Sequence, residues 1–92
     1  MVSREVTITN PLGMHARAAA RFVHAATAFQ AHVRVRRGNR VTDGKSIMGI
    51  LLLAAARGTA LTITADGPDE ADALETLCTL ILAGLGETPC SG

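Results

Sequence analysis

A histidine and an arginine, two residues apart, stand where a loop gives way to a helix-forming run. His15 ends the stretch NPLGMH, in which Pro11 and Gly13 favour a turn, and Arg17 lies in the alanine-rich run that follows. The first amides of a helix have no partners within the helix, and the helix dipole adds about half a positive charge there. This end binds phosphate readily, and it disfavours a protonated ring, which leaves His15 with a nitrogen lone pair. Because the guanidinium of Arg17 can donate two parallel hydrogen bonds to phosphate oxygens, the stretch has the parts needed to accept a phosphoryl group.

A plainer interpretation is that His15 is an ordinary capping or surface residue. The sequence places no serine or cysteine beside a second base, and it contains no pair of carboxylates spaced for acid–base chemistry. His15, His24 and His32 lack the spacing of metal ligands, so we expect no metal site and no cofactor. The chain is therefore expected to be a substrate of other enzymes and not a free-standing enzyme.

The composition describes one small domain with an aliphatic core. Nearly half of the 92 residues are hydrophobic, yet only Phe22 and Phe29 are aromatic. A formal charge of +1 and so few stacking platforms argue against nucleic acid as a partner. The longest apolar run, residues 47–56, is too short to span a bilayer, and the N-terminus does not resemble a signal peptide. Cys78 fits a helical core pattern and Cys90 lies in a polar tail, so we expect no disulfide framework and a cytoplasmic location.

The periodicity of apolar residues predicts seven elements in the order β-α-β-β-α-β-α. These are a strand at residues 2–9, a helix from 16 to about 29, a hairpin around Gly38 and Asn39, a helix over 47–56 closed by Gly58, a strand at 60–65, and a helix with Pro68 in its first turn that ends at Gly84 and Gly86. Two long amphipathic helices over half-buried strands indicate a two-layer α+β sandwich, although periodicity does not give the strand order. We expect a single domain at residues 1–88 and a flexible tail at 89–92.

Three stretches resemble the HPr family, the histidine-containing phosphocarriers of the bacterial phosphotransferase system. They are PLGMHARAAARFV (11–23), GKSIMGILLLAAARGTALTI (44–63) and ADGPDEADAL (65–74), and the similarity extends from residue 2 to about 87. GMHAR and KSIMG at this separation form a specific combination. The resemblance implies an open-faced β-sandwich, with a four-stranded antiparallel sheet and three helices on one face.

The same resemblance implies the roles of particular residues. His15 would take a phosphoryl group on its Nδ1 atom from enzyme I, itself charged by phosphoenolpyruvate, and pass it to a histidine of an enzyme IIA domain. Arg17 would be the charge partner of the phosphate. The sequence predicts that Ser46 is a helix N-cap. By the resemblance, Ser46 also matches the serine that an HPr kinase/phosphorylase modifies in many family members.

A docking surface for these partners is expected beside the His15 loop. The apolar helix after Ser46 has more apolar surface than one buried side requires, although Ile47 and Leu51 could equally be core residues. Arg17, Arg21 and Lys45 would surround the patch with positive charge and favour acidic partners. The predicted docking residues are Ala20, Arg21, His24, Ile47, Met48, Leu51 and Leu52. We expect a monomer that does not insert into a membrane.

Two other functions are left open by the sequence. Many sugar-type family members have proline after the HAR motif, where this chain has Ala18, so a regulatory HPr-like phosphoprotein of a nitrogen-type or other signalling branch is an alternative to sugar uptake. A small nucleic-acid-binding module is the second alternative, supported only by RVRRGNR (34–40). Alternation of the arginines with inward valines predicts instead a solvated hairpin.

Overall fold

The chain folds into seven elements in the predicted order. The computed structural model describes residues 1–85, and the elements are β1 (Val2–Thr7), α1 (Ala16–Thr27), β2 (His32–Arg37), β3 (Arg40–Asp43), α2 (Ile47–Leu52), β4 (Ala60–Asp66) and α3 (Glu70–Leu82). The predictions made for Gly86, for Cys90, for a domain end at residue 88 and for a tail at 89–92 lie outside the described residues. No helix in the described part is long and apolar enough to cross a membrane.

The four strands form one antiparallel sheet in the order β1-β4-β2-β3, which the periodicity had left undetermined. Alternate residues of the central strands point to the core, as predicted: Val33 and Val35 in β2, and Leu61 and Ile63 in β4, are at most 1% exposed. The other face exposes polar side chains such as Arg34. The helices therefore cover one face only, and the predicted open-faced α+β sandwich is confirmed.

The two long helices bury the faces that their sequences predict. Phe22 in α1 and Leu77 in α3 are completely buried, and Ala19 and Ala26 are also on the buried side of α1. Because alanine has so small a side chain, these positions let α1 approach the layer beneath it closely. Cys78 is a buried core residue, as predicted, and burial raises the pKa of its thiol.

Helix α2 is shorter than predicted, ending at Leu52 instead of near residue 56. Ala54 adopts a left-handed conformation with φ of +51°, which stops the helix well before Gly58. The Nη1 atom of Arg37 donates to the carbonyl of Leu53 at 2.6 Å, and that of Arg40 donates to the carbonyl of Leu52 at 3.3 Å. These two side chains satisfy carbonyl oxygens that a longer helix would have satisfied itself.

Helix α3 also begins later than predicted, because Pro68 lies in the turn before it and Asp69 is the N-cap residue. The Asp69 carboxylate accepts hydrogen bonds from the backbone amides of Gln30 at 2.9 Å and Ala31 at 2.8 Å. The bond from Gln30, together with that from Ala31, lowers the pKa of Asp69 below its ordinary value. This carboxylate therefore ties the start of α3 to the loop between α1 and β2.

Candidate functional site

The loop between β1 and α1 is closed by a tight turn. The amide of Gly13 donates to the carbonyl of Asn10 at 3.0 Å, and the side-chain Nδ2 of Asn10 donates back to the carbonyl of Gly13 at 2.7 Å. Gly13 has a φ of +66°, and a Cβ atom there would lie 2.6 Å from the carbonyl oxygen of Ala55. The turn expected at Gly13 is confirmed, and it needs glycine both for its conformation and for space.

This loop rests on the segment that follows α2. The amide of Met14 donates to the carbonyl of Ala55 at 2.8 Å, and the Met14 side chain is buried. Residues some forty positions apart in the sequence are thereby held together. The structure brings the His15 loop next to the end of α2, as the predicted docking surface requires.

His15 is the N-cap residue of α1, with an extended backbone (φ −79°, ψ 179°). Its amide donates to the carbonyl of Gly13 at 3.0 Å, and its carbonyl accepts the first intrahelical hydrogen bond, from Ala19 at 2.8 Å. The residue is half-buried and its Nε2 atom is buried. The predicted placement of an imidazole at the mouth of a helix is therefore confirmed.

The first turn of α1 favours an anion beside His15. Arg17 is exposed in this turn, and the turn contains no acidic residue. The 12 residues of α1 direct their aligned peptide dipoles and their unpaired first amides towards the same end. A dianionic phosphoryl group on His15 would meet positive potential from both the helix and the guanidinium.

The outer side of α1 continues this positive surface away from His15. Ala20, Arg21 and His24, the residues of α1 predicted to dock partners, are all exposed. They lie in one shallow groove between α1 and α3, lined by Arg17, Ala20, Arg21, His24, Ala25 and Leu80. Leu80 supplies an apolar wall that sequence patterns did not single out, because it comes from a helix sixty residues away.

The predicted apolar patch on α2 is confirmed in part. Ile47, Met48 and Leu52 are 43%, 66% and 65% exposed, whereas Leu51 is half-buried and packs against the core. Leu51 therefore supports the patch from beneath and offers a partner little surface, because its side chain packs against the core that contains Ile50.

Leu12 was not singled out by the sequence, and Lys45 is less available than predicted. Leu12, at the tip of the His15 loop, is 68% exposed, and no sequence signal beyond its place in a turn pointed to it. Lys45 is half-buried, and its ammonium group donates to the carbonyl of Phe29 at 2.8 Å, so its charge is partly committed to the fold.

Ser46 is the N-cap of α2, as predicted, and its Oγ atom accepts a hydrogen bond from the amide of Gly49 at 3.1 Å. The hydroxyl is partly exposed at the start of the helix that carries Ile47 and Met48. A charged group added there would border the apolar patch directly.

The arginines of the hairpin have the arrangement predicted for a solvated strand. Arg34 and Arg36 are exposed on the open face of β2 and alternate with the buried Val33 and Val35. Arg34 faces Asp43 across the β2–β3 ladder, so acidic and basic side chains are mixed on this face. This mixture gives no basic stripe of the kind that tracks a nucleic-acid backbone.

Known proteins resemble this chain along most of its length. A family model described as the PTS HPr component phosphorylation site matches residues 2–83. The phosphocarrier protein HPr of Cupriavidus necator is 45% identical over 87 residues, which are 95% of this chain and 98% of that protein. The crystal structure of HPr-C-His from Thermoanaerobacter tengcongensis has a TM-score of 0.91 and 38% identity, and the match covers 96% of this chain and 99% of that one.

One solved structure of a relative bears on the oligomeric state. A crystal structure of an HPr dimer from the same organism has 38% identity and a TM-score of 0.76, and the match covers 95% of this chain and all of that chain. Relatives therefore include a dimer, and the monomeric state expected for this chain stays a prediction.

Proposed function

The chain belongs to the HPr family of phosphotransferase-system phosphocarriers, and on this premise we propose that His15 accepts a phosphoryl group from phosphorylated enzyme I and passes it to a histidine of an enzyme IIA domain. The observation that carries this proposal is the position of His15 as N-cap of α1, with Arg17 in the first turn and no acidic residue there. The protein acts in this cycle as a covalently modified carrier in the cytoplasm.

The proposed transfer uses the Nδ1 atom of His15. Because Nε2 of His15 is buried, we assign Nδ1 as the acceptor and place the ring proton on Nε2. The lone pair of Nδ1 attacks phosphorus, a nitrogen–phosphorus bond forms, and the bond to the donor breaks with its electron pair returning to enzyme I. In the second step a histidine of the IIA domain attacks phosphorus, and the electron pair of the broken bond returns to Nδ1.

The protein's contribution to these steps is electrostatic. The unpaired amides of α1 and the guanidinium of Arg17 stabilise the charge on the phosphoryl oxygens while the group moves between nitrogens. No side chain has to donate or remove a proton, because nitrogen attacks and nitrogen leaves. This explains how one histidine can serve without a catalytic partner on the same chain.

Partner binding is proposed to use the exposed apolar residues of α2 together with the basic side of α1. Ile47, Met48 and Leu52 form an apolar centre, and the flexible thioether of Met48 can adapt to more than one partner. Arg17 and Arg21, in the groove between α1 and α3, would add positive charge to the same docking surface. A complementary partner has an apolar centre with acidic side chains around it.

We further propose that Ser46 is a regulatory phosphorylation site for an HPr kinase/phosphorylase. Phosphate adds nearly two negative charges, and at the N-cap of α2 the fold tolerates them. The same charges border Met48 and repel an acidic partner. We expect Ser46→Asp to raise the KM of enzyme I for this carrier while the circular dichroism spectrum stays unchanged; an unchanged KM contradicts this role.

Incubation with enzyme I and labelled phosphoenolpyruvate tests the central proposal. Wild type and His32→Ala should take up label that is lost in acid and kept in alkali, whereas His15→Ala should take up none. Absence of label on the wild type, or label on His15→Ala, would overturn the assignment. The control variant His32→Ala removes an exposed imidazole on β2, away from the groove beside α1.

A further inference from the structure

We propose that Asn10 is a positioning residue for His15. The side-chain amide of Asn10 fixes the Gly13–Met14 peptide unit, to which the backbone amide of His15 is hydrogen-bonded. The inference rests on the proposed phosphocarrier function and adds to it a residue whose role the sequence patterns had reduced to ending β1. Asn10 does not have to touch the phosphoryl group for this role.

Asn10 is placed unlike any other polar residue in residues 1–85. It is 3% exposed, and every other buried side chain in that range is hydrophobic. A buried amide is costly unless it is hydrogen-bonded, and Nδ2 donates to the carbonyl of Gly13 over only 2.7 Å. A small apolar residue would fill the space without that requirement, so the amide indicates a specific hydrogen-bonding task.

The bond from Asn10 acts on the peptide unit that joins Gly13 to Met14. The carbonyl of this unit accepts from Nδ2 of Asn10 and from the amide of His15, and its N–H donates to the carbonyl of Ala55. The unit is thus held at both edges, by Asn10 on one side and by the segment after α2 on the other.

The position of His15 depends on this hydrogen-bonded peptide unit. Its own amide is bonded to the Gly13 carbonyl at 3.0 Å, and its carbonyl already belongs to α1 through Ala19. Without the donor of Asn10, the Gly13 carbonyl keeps only the His15 amide as a donor, so the peptide unit is held less firmly and the imidazole can shift relative to the first turn of α1. Misplacement of the reacting ring slows group transfer without changing how the partner docks, because docking uses α1 and α2.

A purely structural role for Asn10 makes a different prediction. Asparagine is common at the first position of a turn, and there it stabilises the turn alone. Its loss would then lower the melting temperature but would leave transfer rates unchanged wherever the variant is folded. Rate constants measured well below the melting temperature therefore separate positioning from stabilisation.

The test uses Asn10→Ala and the isosteric Asn10→Asp, which both remove the donor, with Asn39→Ala in the exposed β2–β3 turn as control. With the carrier as substrate of enzyme I, we expect kcat to fall about tenfold at unchanged KM in both Asn10 variants, and neither constant to change in Asn39→Ala. Agreement between the neutral and the charged replacement assigns the loss to the donor.

A second readout does not depend on transfer. We expect the ring-nitrogen chemical shifts of His15 in the unphosphorylated protein to move in both Asn10 variants and to stay in place in Asn39→Ala. Wild-type kcat in folded Asn10 variants, or unmoved His15 shifts, overturns the inference even when the wild type is phosphorylated. A wild type that enzyme I does not label on His15 overturns the proposed function instead.

Discussion

Adding one methyl group at Gly13 tests how firmly the His15 loop is held. In Gly13→Ala the new Cβ would lie 2.6 Å from the carbonyl oxygen of Ala55 and 2.9 Å from the Cα atom of Ala56. Both are backbone atoms, and the Ala55 carbonyl is bonded to the amide of Met14, so neither can move without disturbing the loop. Gly38 provides a matched control, because its φ of +58° is similar to the +66° of Gly13 while no atom lies within 4 Å of a Cβ placed there.

The expected cost separates into two parts. Placing alanine in the left-handed region, less the gain from a more restricted unfolded chain, destabilises each variant by about 1 kcal/mol. The overlap at Gly13 adds about 1–3 kcal/mol, the usual cost of overpacking. Since each kcal/mol lowers the melting temperature of a domain of this size by about 4–8 °C, Gly38→Ala should melt about 4–8 °C below wild type and Gly13→Ala at least about twice as far below.

Thermal and urea unfolding, followed by circular dichroism, measure both variants under one set of conditions. Gly13→Ala should also be phosphorylated more slowly by enzyme I at a temperature where it is fully folded, whereas Gly38→Ala should match the wild type. Equal destabilisation of the two variants would show that the Gly13–Ala55 contact imposes no constraint, and it would refute the reasoning that the loop is clamped to the segment after α2.

Three further predictions concern stability, pH and docking. Ala54→Gly should raise stability by about 1 kcal/mol in urea unfolding, because glycine relieves the left-handed conformation that alanine adopts after α2; a loss of stability would contradict this. Because the pKa of Asp69 is lowered in the folded protein, its stabilising contribution is present above the unfolded pKa and is lost as pH falls through the folded pKa. Asp69→Asn should therefore reduce the loss of stability at acid pH, measured by urea unfolding as a function of pH. Asp72→Asn, in the exposed first turn of α3, should not reduce it. Met48→Asp should raise the KM of enzyme I for the carrier without altering the fold, while Val41→Asp, at a comparably exposed apolar position on the open sheet face, should leave the KM unchanged.

The element order and the buried faces could be predicted because each depends on local periodicity. A strand with Val33 and Val35 inward, or a helix with Phe22 inward, needs only the spacing of its own residues. The end of α2 could not be predicted in the same way. The apolar run of α2 gives no sign that Arg37 and Arg40, on the β2–β3 hairpin, will donate hydrogen bonds to its last carbonyls.

In the candidate site, too, features set by neighbouring residues could be predicted and features set by distant packing could not. His15 at the start of a helix and Ser46 as an N-cap follow from neighbouring residues, so both placements were predictable. The sequence indicated only that Asn10 forms a turn, because its burial depends on the loop folding onto the backbone at Ala55. Leu80 in the groove beside α1 was likewise invisible, since only the packing of two distant helices brings it there.

The most direct test of the account is to identify the atom that holds the phosphoryl group. The ¹⁵N-labelled protein, phosphorylated by enzyme I, should show one-bond coupling between phosphorus and Nδ1 of His15, with Nε2 keeping its proton. Phosphorus bonded to Nε2, or to a side chain other than that of His15, would contradict the account.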